Sequence, residues 1–121
     1  MSKQKRPEIG TVMWDVHESM YYVKGYAGPF KEYVVASAPI SGFLEGGFVE
    51  LCMTGPVLSG DMIYNIPRRH KLADIGKKVF YTAREAALYA KELTEKYERT
   101  WGWCLKRPLR RTWEKYLEET I

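Results

Sequence analysis

A chain of 121 residues, 45% hydrophobic and 28% charged, has the size and composition of one globular domain with a modest core of its own. No apolar run approaches the roughly 20 residues that a membrane-spanning helix needs, so no membrane partner is expected, and two cysteines, Cys52 and Cys104, are too few for a disulfide framework. The net charge of +4 is uneven: residues 8–66 balance at −5, residues 67–121 at +6 and the first seven residues at +3, which suits a polyanion or a charged partner as well as plain solvation.

Residues 1–8 read as a basic flexible tail, with Pro7 interrupting regular pairing, and residues 9–121 as a single domain. The leading residues are basic with no apolar stretch behind them, so a secretory signal is not expected. A cytoplasmic protein with reduced thiols follows as the expectation. Residues 10–16 form the first strand candidate, with Val12, Trp14 and Val16 on one face and Thr11, Met13 and Asp15 on the other. His17, Glu18 and Ser19 supply a polar turn, and residues 20–26 a second strand, although no Asn-Gly or Asp-Gly pair marks the hairpin. Residues 30–38 give the best central strand, built on Tyr33, Val34, Val35 and Ala36, and Pro39 is expected to end it. Residues 40–47 then read as a glycine-rich loop around Phe43 and Leu44. It lacks the Gly-Lys-Ser/Thr and the helix start of a phosphate-binding loop.

Residues 48–54 alternate as a strand whose Val49, Leu51 and Met53 face the core, and residues 62–66 make a short fifth strand closed by Pro67. The basic cluster Arg68, Arg69, His70 and Lys71 follows. Residues 76–87 are the pivot of the chain: Val79 and Phe80 point to opposite faces of a short strand, and Thr82 with Glu85 forms a capping box at a helix start. In that box the Thr82 hydroxyl accepts from the Glu85 amide, and the Glu85 carboxylate returns to the Thr82 amide. Ala86, Ala90, Leu93 and Tyr97 make one apolar helix stripe, ending near residues 100–102. Pro108 is placed to open a last helix with Leu109, Trp113, Tyr116 and Leu117 on its apolar face. The sum is an α+β fold: a small antiparallel, partly open β-barrel or curved sheet of five to six strands, followed by two C-terminal helices. A monomer and a homodimer both fit that apolar last helix.

The stretch Ile75-Gly76-Lys77-Lys78-Val79-Phe80-Tyr81-Thr82-Ala83-Arg84-Glu85-Ala86 resembles a recurring segment in small, uncharacterised phage and mobile-element proteins of Firmicutes. In those proteins a β module ends in Gly-Lys-x-Val-Phe-x-Thr-x-x-Glu-Ala and leads into a helix. Residues 62–67 also resemble their final strand, whereas the aromatic and basic continuation after Tyr97 departs from the pattern. The resemblance implies a mobile-element accessory role and transfers no catalytic residues. Some proteins of this size and origin inhibit host defence systems, CRISPR nucleases among them.

Candidate chemistry is sparse. His17, Cys52, His70 and Cys104 lack the paired spacing of a structural zinc site, and no cofactor is expected. No nucleophile stands in an elbow motif, and Asp15, Glu18, Glu32, Glu45, Glu50 and Asp61 include no pair singled out by spacing, so no catalytic role is expected. Two binding roles remain. Arg68, Arg69, Lys71, Lys106, Arg107, Arg110 and Arg111 can form a basic face for nucleic acid, with Tyr64, Trp101 and Trp103 as stacking partners. Phe43, Leu44 and Glu45 can form an apolar anchor for a host protein or nucleoprotein. The leading expectation is the docking module, in the manner of an anti-defence inhibitor; a small nucleic-acid-binding protein is the alternative.

Overall fold

The computed structural model describes residues 6–27, 29–52, 67–101 and 109–118. Five strands are seen: β1 (Val12–Tyr21), β2 (Phe30–Leu44), β3 (Phe48–Leu51), β4 (Arg68–Lys71) and β5 (Val79–Phe80). They form one antiparallel sheet in the order β4-β3-β2-β1-β5, followed by α1 (Ala83–Trp101) and the short α2 (Glu114–Glu118). The sheet is curled into a half-barrel. Its two edge strands, β4 and β5, are consecutive among the described strands and joined by residues 72–78, which include a 3-10 turn (Leu72–Asp74). So short a link between opposite edges requires a curled sheet.

β1 and β2 pair over ten residues, from Val12 with Pro39 to Tyr21 with Phe30. The turn expected at residues 17–19 is therefore absent, and the first two strand candidates are one strand. His17, Glu18 and Ser19 include no residue suited to a positive φ, and each has a β2 partner in Val34, Tyr33 and Glu32. Pro39 likewise does not end β2. It sits where the strand changes neighbours, with β1 pairing behind it and β3 pairing resuming at Ile40 with an irregularity before Gly42. A proline at such a changeover costs no ladder bond. The expected loop thus shrinks to a turn at residues 45–47, where Gly46 and Gly47 adopt φ of 88° and 82°.

Both sheet faces are covered. On one, Tyr33, Val35 and Phe80 pack against Ala86, Ala87 and Ala90 of α1 and against Trp113, with Trp14, Val16, Leu93 and Tyr97 at the margins. On the concave face, Met13, Ala38, Ile40, Val49, Leu51 and Val79 form a second core. A third cluster, Tyr21, Phe30 and Leu109, closes the far end of β1 and β2. The expected core faces of β3 and α1 are borne out for Val49, Leu51, Ala86 and Ala90; Met53, the strand over 62–66, Tyr64, Trp103 and Cys104 lie outside the described residues.

The capping box forms with one change of partner. The Glu85 amide donates to Thr82 Oγ1 at 3.2 Å, but the Glu85 carboxylate accepts from the Thr82 hydroxyl at 2.8 Å rather than from its amide. The last helix is shorter than expected and begins at Glu114. Upstream, the Leu109 amide donates to Glu98 and the Arg110 amide to the Tyr21 hydroxyl, at 3.1 and 3.0 Å. Those amides are satisfied by side chains of α1 and β1, so residues 109–113 need no helix. Their apolar positions still bury as the helical pattern required, with Leu109 and Trp113 each 3% exposed.

Candidate functional site

Strand alternation divides the Arg68-Arg69-His70-Lys71 cluster between two faces. Arg69 and Lys71 point outward; Arg69 is paired with Glu50 at 3.4 Å. Arg68 and His70 turn into the concave face and meet Asp15 of β1, although β3 and β2 lie between the two strands. Arg68 Nε donates to Asp15 Oδ2 at 2.8 Å, and His70 Nε2 stands 2.9 Å from the same oxygen. His17 Nε2 lies 3.3 Å from Oδ1, within ion-pair range but off the line of a hydrogen bond.

Asp15 is 1% exposed. Burial by itself raises a carboxyl pKa, but the polar contacts of His17, His70 and Arg68 and the Arg68 charge outweigh it. The carboxyl is held well below the usual carboxylate range. Since His17 forms no aligned bond, the bonded partners His70 and Arg68 are the firmer part of that effect. Arg68 Nη1 and Nη2 are buried and have no hydrogen-bond partner among the described residues. Among those residues no group of three His, Cys, Asp or Glu is arranged to hold a metal ion. Sequence reasoning did not bring Asp15, His17, Arg68 and His70 together. The available signal was a carboxylate two residues from Met13 on a strand face that must bury.

Of the residues expected to form a basic face for nucleic acid, Arg69, Lys71 and Arg110 are exposed, and Arg110 and Arg111 also have partners within the fold. Arg110 stacks over Tyr21 at 4.1 Å and stands 3.7 Å from Glu32. Arg111 pairs with Glu98 and lies 4.0 Å from Glu114. Lys106 and Arg107 lie outside the described residues. The docking candidates sit on the β2–β3 hairpin. Phe43 packs on the concave core with the Arg6 guanidinium 4.4 Å above its ring, while Leu44 and Glu45 are exposed. Ile9 and Val12, 65% and 49% exposed, stand at the same end of the sheet, because the Gly10 amide bonds Ile40 and Val12 pairs with Pro39. Glu8 and Glu45 add acidic groups there. A further shallow pocket of about 240 Å³ is lined by Tyr33, Leu93, Lys96, Tyr97, Thr100 and Trp101. Lys31 lies 4.9 Å above the Tyr97 ring beside it.

The class that these features define is a small antiparallel half-barrel backed by helices, with an internal ion cluster and an apolar end. Compared with protein families, curated proteins and solved structures, the chain has no significant match.

Proposed function

We propose that this chain is a non-enzymatic binding module of the phage or mobile-element kind, which docks a host protein or nucleoprotein and so hinders a host defence nuclease. The observation that carries the docking reading is the exposed apolar end of the sheet. Val12 and Leu44 stand there on paired strands and Ile9 in the turn just before β1, beside Glu8 and Glu45. Rigid apolar anchors with a charged surround are the usual make-up of a protein-binding hot spot. Glu8 and Glu45 share that end with Arg6 and Lys71, so the charged surround suits a partner surface of mixed charge. The alternative reading, a basic nucleic-acid face, draws less support, because Arg68, Arg110 and Arg111 are tied to Asp15, Glu32 and Glu98.

The test is capture from host lysate with tagged protein, in nuclease-treated and untreated halves, using the native chain and an Ile9→Asp/Leu44→Asp double variant. The expected result is a protein retained by the native chain in both halves and lost with the variant, whose unfolding transition is unchanged. Capture that disappears with nuclease, or that survives the double substitution, refutes docking through this end.

A further inference from the structure

We propose that the outer fork of the Arg68 guanidinium, inside the half-barrel, is a binding site for a small oxyanion, a carboxylate or a phosphate. The starting point is how Arg68 and Asp15 meet. An arginine facing a carboxylate commonly gives it two parallel N–H bonds. Here only Nε is used, and Asp15 Oδ2 is shared with His70 while Oδ1 turns toward His17. Nη1 and Nη2 are left as two buried donors without a partner among the described residues, on a side chain that is 9% exposed. Each buried donor left unpaired costs about 1–3 kcal/mol, so folds rarely keep two on one group unless something accepts from them.

The geometry of that acceptor follows from the guanidinium. Nη1 and Nη2 present N–H groups side by side, spaced to meet two oxygens on one carbon or one phosphorus. Asp15 holds the guanidinium by its inner edge and balances its charge, so the fork is fixed before any ligand arrives. His17 and His70, with side chains 24% and 18% exposed, lie beside the pair. Arg69 and Lys71, the other cations of β4, point to the opposite face and stay outside the site. A metal ion is the poorer occupant, because the Arg68 cation already sits on the Asp15 oxygen it would need.

Titrating the isotope-labelled native chain with sodium phosphate, sodium acetate and, at matched ionic strength, sodium chloride tests the assignment by NMR. The signals followed are the Arg68 guanidinium and the His17 and His70 rings. A saturable shift with phosphate or acetate, absent with chloride, is expected. Phosphate binding more tightly identifies a phosphate ester as the ligand class, and acetate a carboxylate. Arg68→Lys keeps the charge on Asp15 but loses the fork, and is expected to weaken binding about tenfold. Linear shifts that are equal in all three salts overturn the proposal and leave Arg68 as a buried structural cation paired with Asp15 alone. A saturable shift that Arg68→Lys leaves untouched also overturns it. If Arg68→Lys does not fold, the native titration alone decides. The result is separable from the docking test, which rests on Ile9 and Leu44.

Discussion

Asp15 is the residue on which both the fold and its internal chemistry turn. Its carboxylate joins β1 to β4 across the concave face through Arg68 and His70. Replacing it by Asn leaves Arg68 as a buried cation without its counter-charge, and the expected loss is about 3–5 kcal/mol in urea unfolding at neutral pH. The same contact has a pH signature. Because the folded-state pKa is depressed, the contribution of Asp15 is complete above the unfolded value of about 4 and is lost as pH falls below it. Native protein should therefore lose stability between roughly pH 5 and pH 2. Asp15→Asn should show a visibly flatter profile over that window, and equal slopes would mean that Asp15 titrates normally in the fold. Gly47, at a φ of 82°, has no heavy atom within 4 Å of an added Cβ, so Gly47→Ala tests backbone conformation alone. A loss of about 1–2 kcal/mol is expected, and a neutral result would show that the turn relaxes.

At the scale of elements, the lengths of β1 and β2 decide the architecture. β1 pairs with β2 over its whole length, and β2 then runs on to pair with β3. One strand thereby spans the sheet's two halves, and the bend near Ile40 lets it curl. On the other side of the sheet, α1 buries a face of small residues, Ala86, Ala87, Ala90 and Thr94, which brings its backbone close to the strands. Its start depends on Thr82, which accepts from the Glu85 amide. Thr82→Ala should cost about 1 kcal/mol by chemical denaturation. Thr82→Ser should restore most of it, since the hydroxyl rather than the methyl makes the cap.

For the molecule as a whole, residues 109–118 run back along α1 and lock it to the sheet. Trp113 donates its indole N–H to Thr94 Oγ1 at 3.1 Å, Thr94 donates to Ala90 O at 2.8 Å, and Arg84 reaches the Leu117 carbonyl at 3.2 Å. Trp14 and Tyr116 meet edge to face with centroids 5.8 Å apart. Trp113→Ala should lower stability by about 3–5 kcal/mol, read by thermal or urea unfolding. The arginines of this segment are structural ties as much as surface charges. Arg111→Glu sets a like charge against Glu98 and Glu114, and a loss of about 2 kcal/mol is expected. A charge-reversed variant must therefore be checked for folding before any loss of nucleic-acid affinity is read as a lost contact.

The amino-acid sequence by itself determined the local facts: the strand character of β1, β2, β3 and β5, the cap at Thr82, the apolar stripe of α1 and the burial of Leu109 and Trp113. These follow from side-chain period and capping chemistry, which act over a few residues. It also carried the Phe43-Leu44 hairpin as a candidate anchor, though as a loop rather than as strand and turn. Tertiary structure alone decided that residues 17–19 continue a strand, because the β2 partner lies more than ten positions away. It alone brought Asp15 to Arg68 and His70, since that meeting depends on how far the sheet curls. And it alone gave Arg68 a buried partner in Asp15 and set Arg110 and Arg111 beside Glu32 and Glu98: the sign of a charge is local, whereas its partner is set by which strands and segments the fold lays side by side.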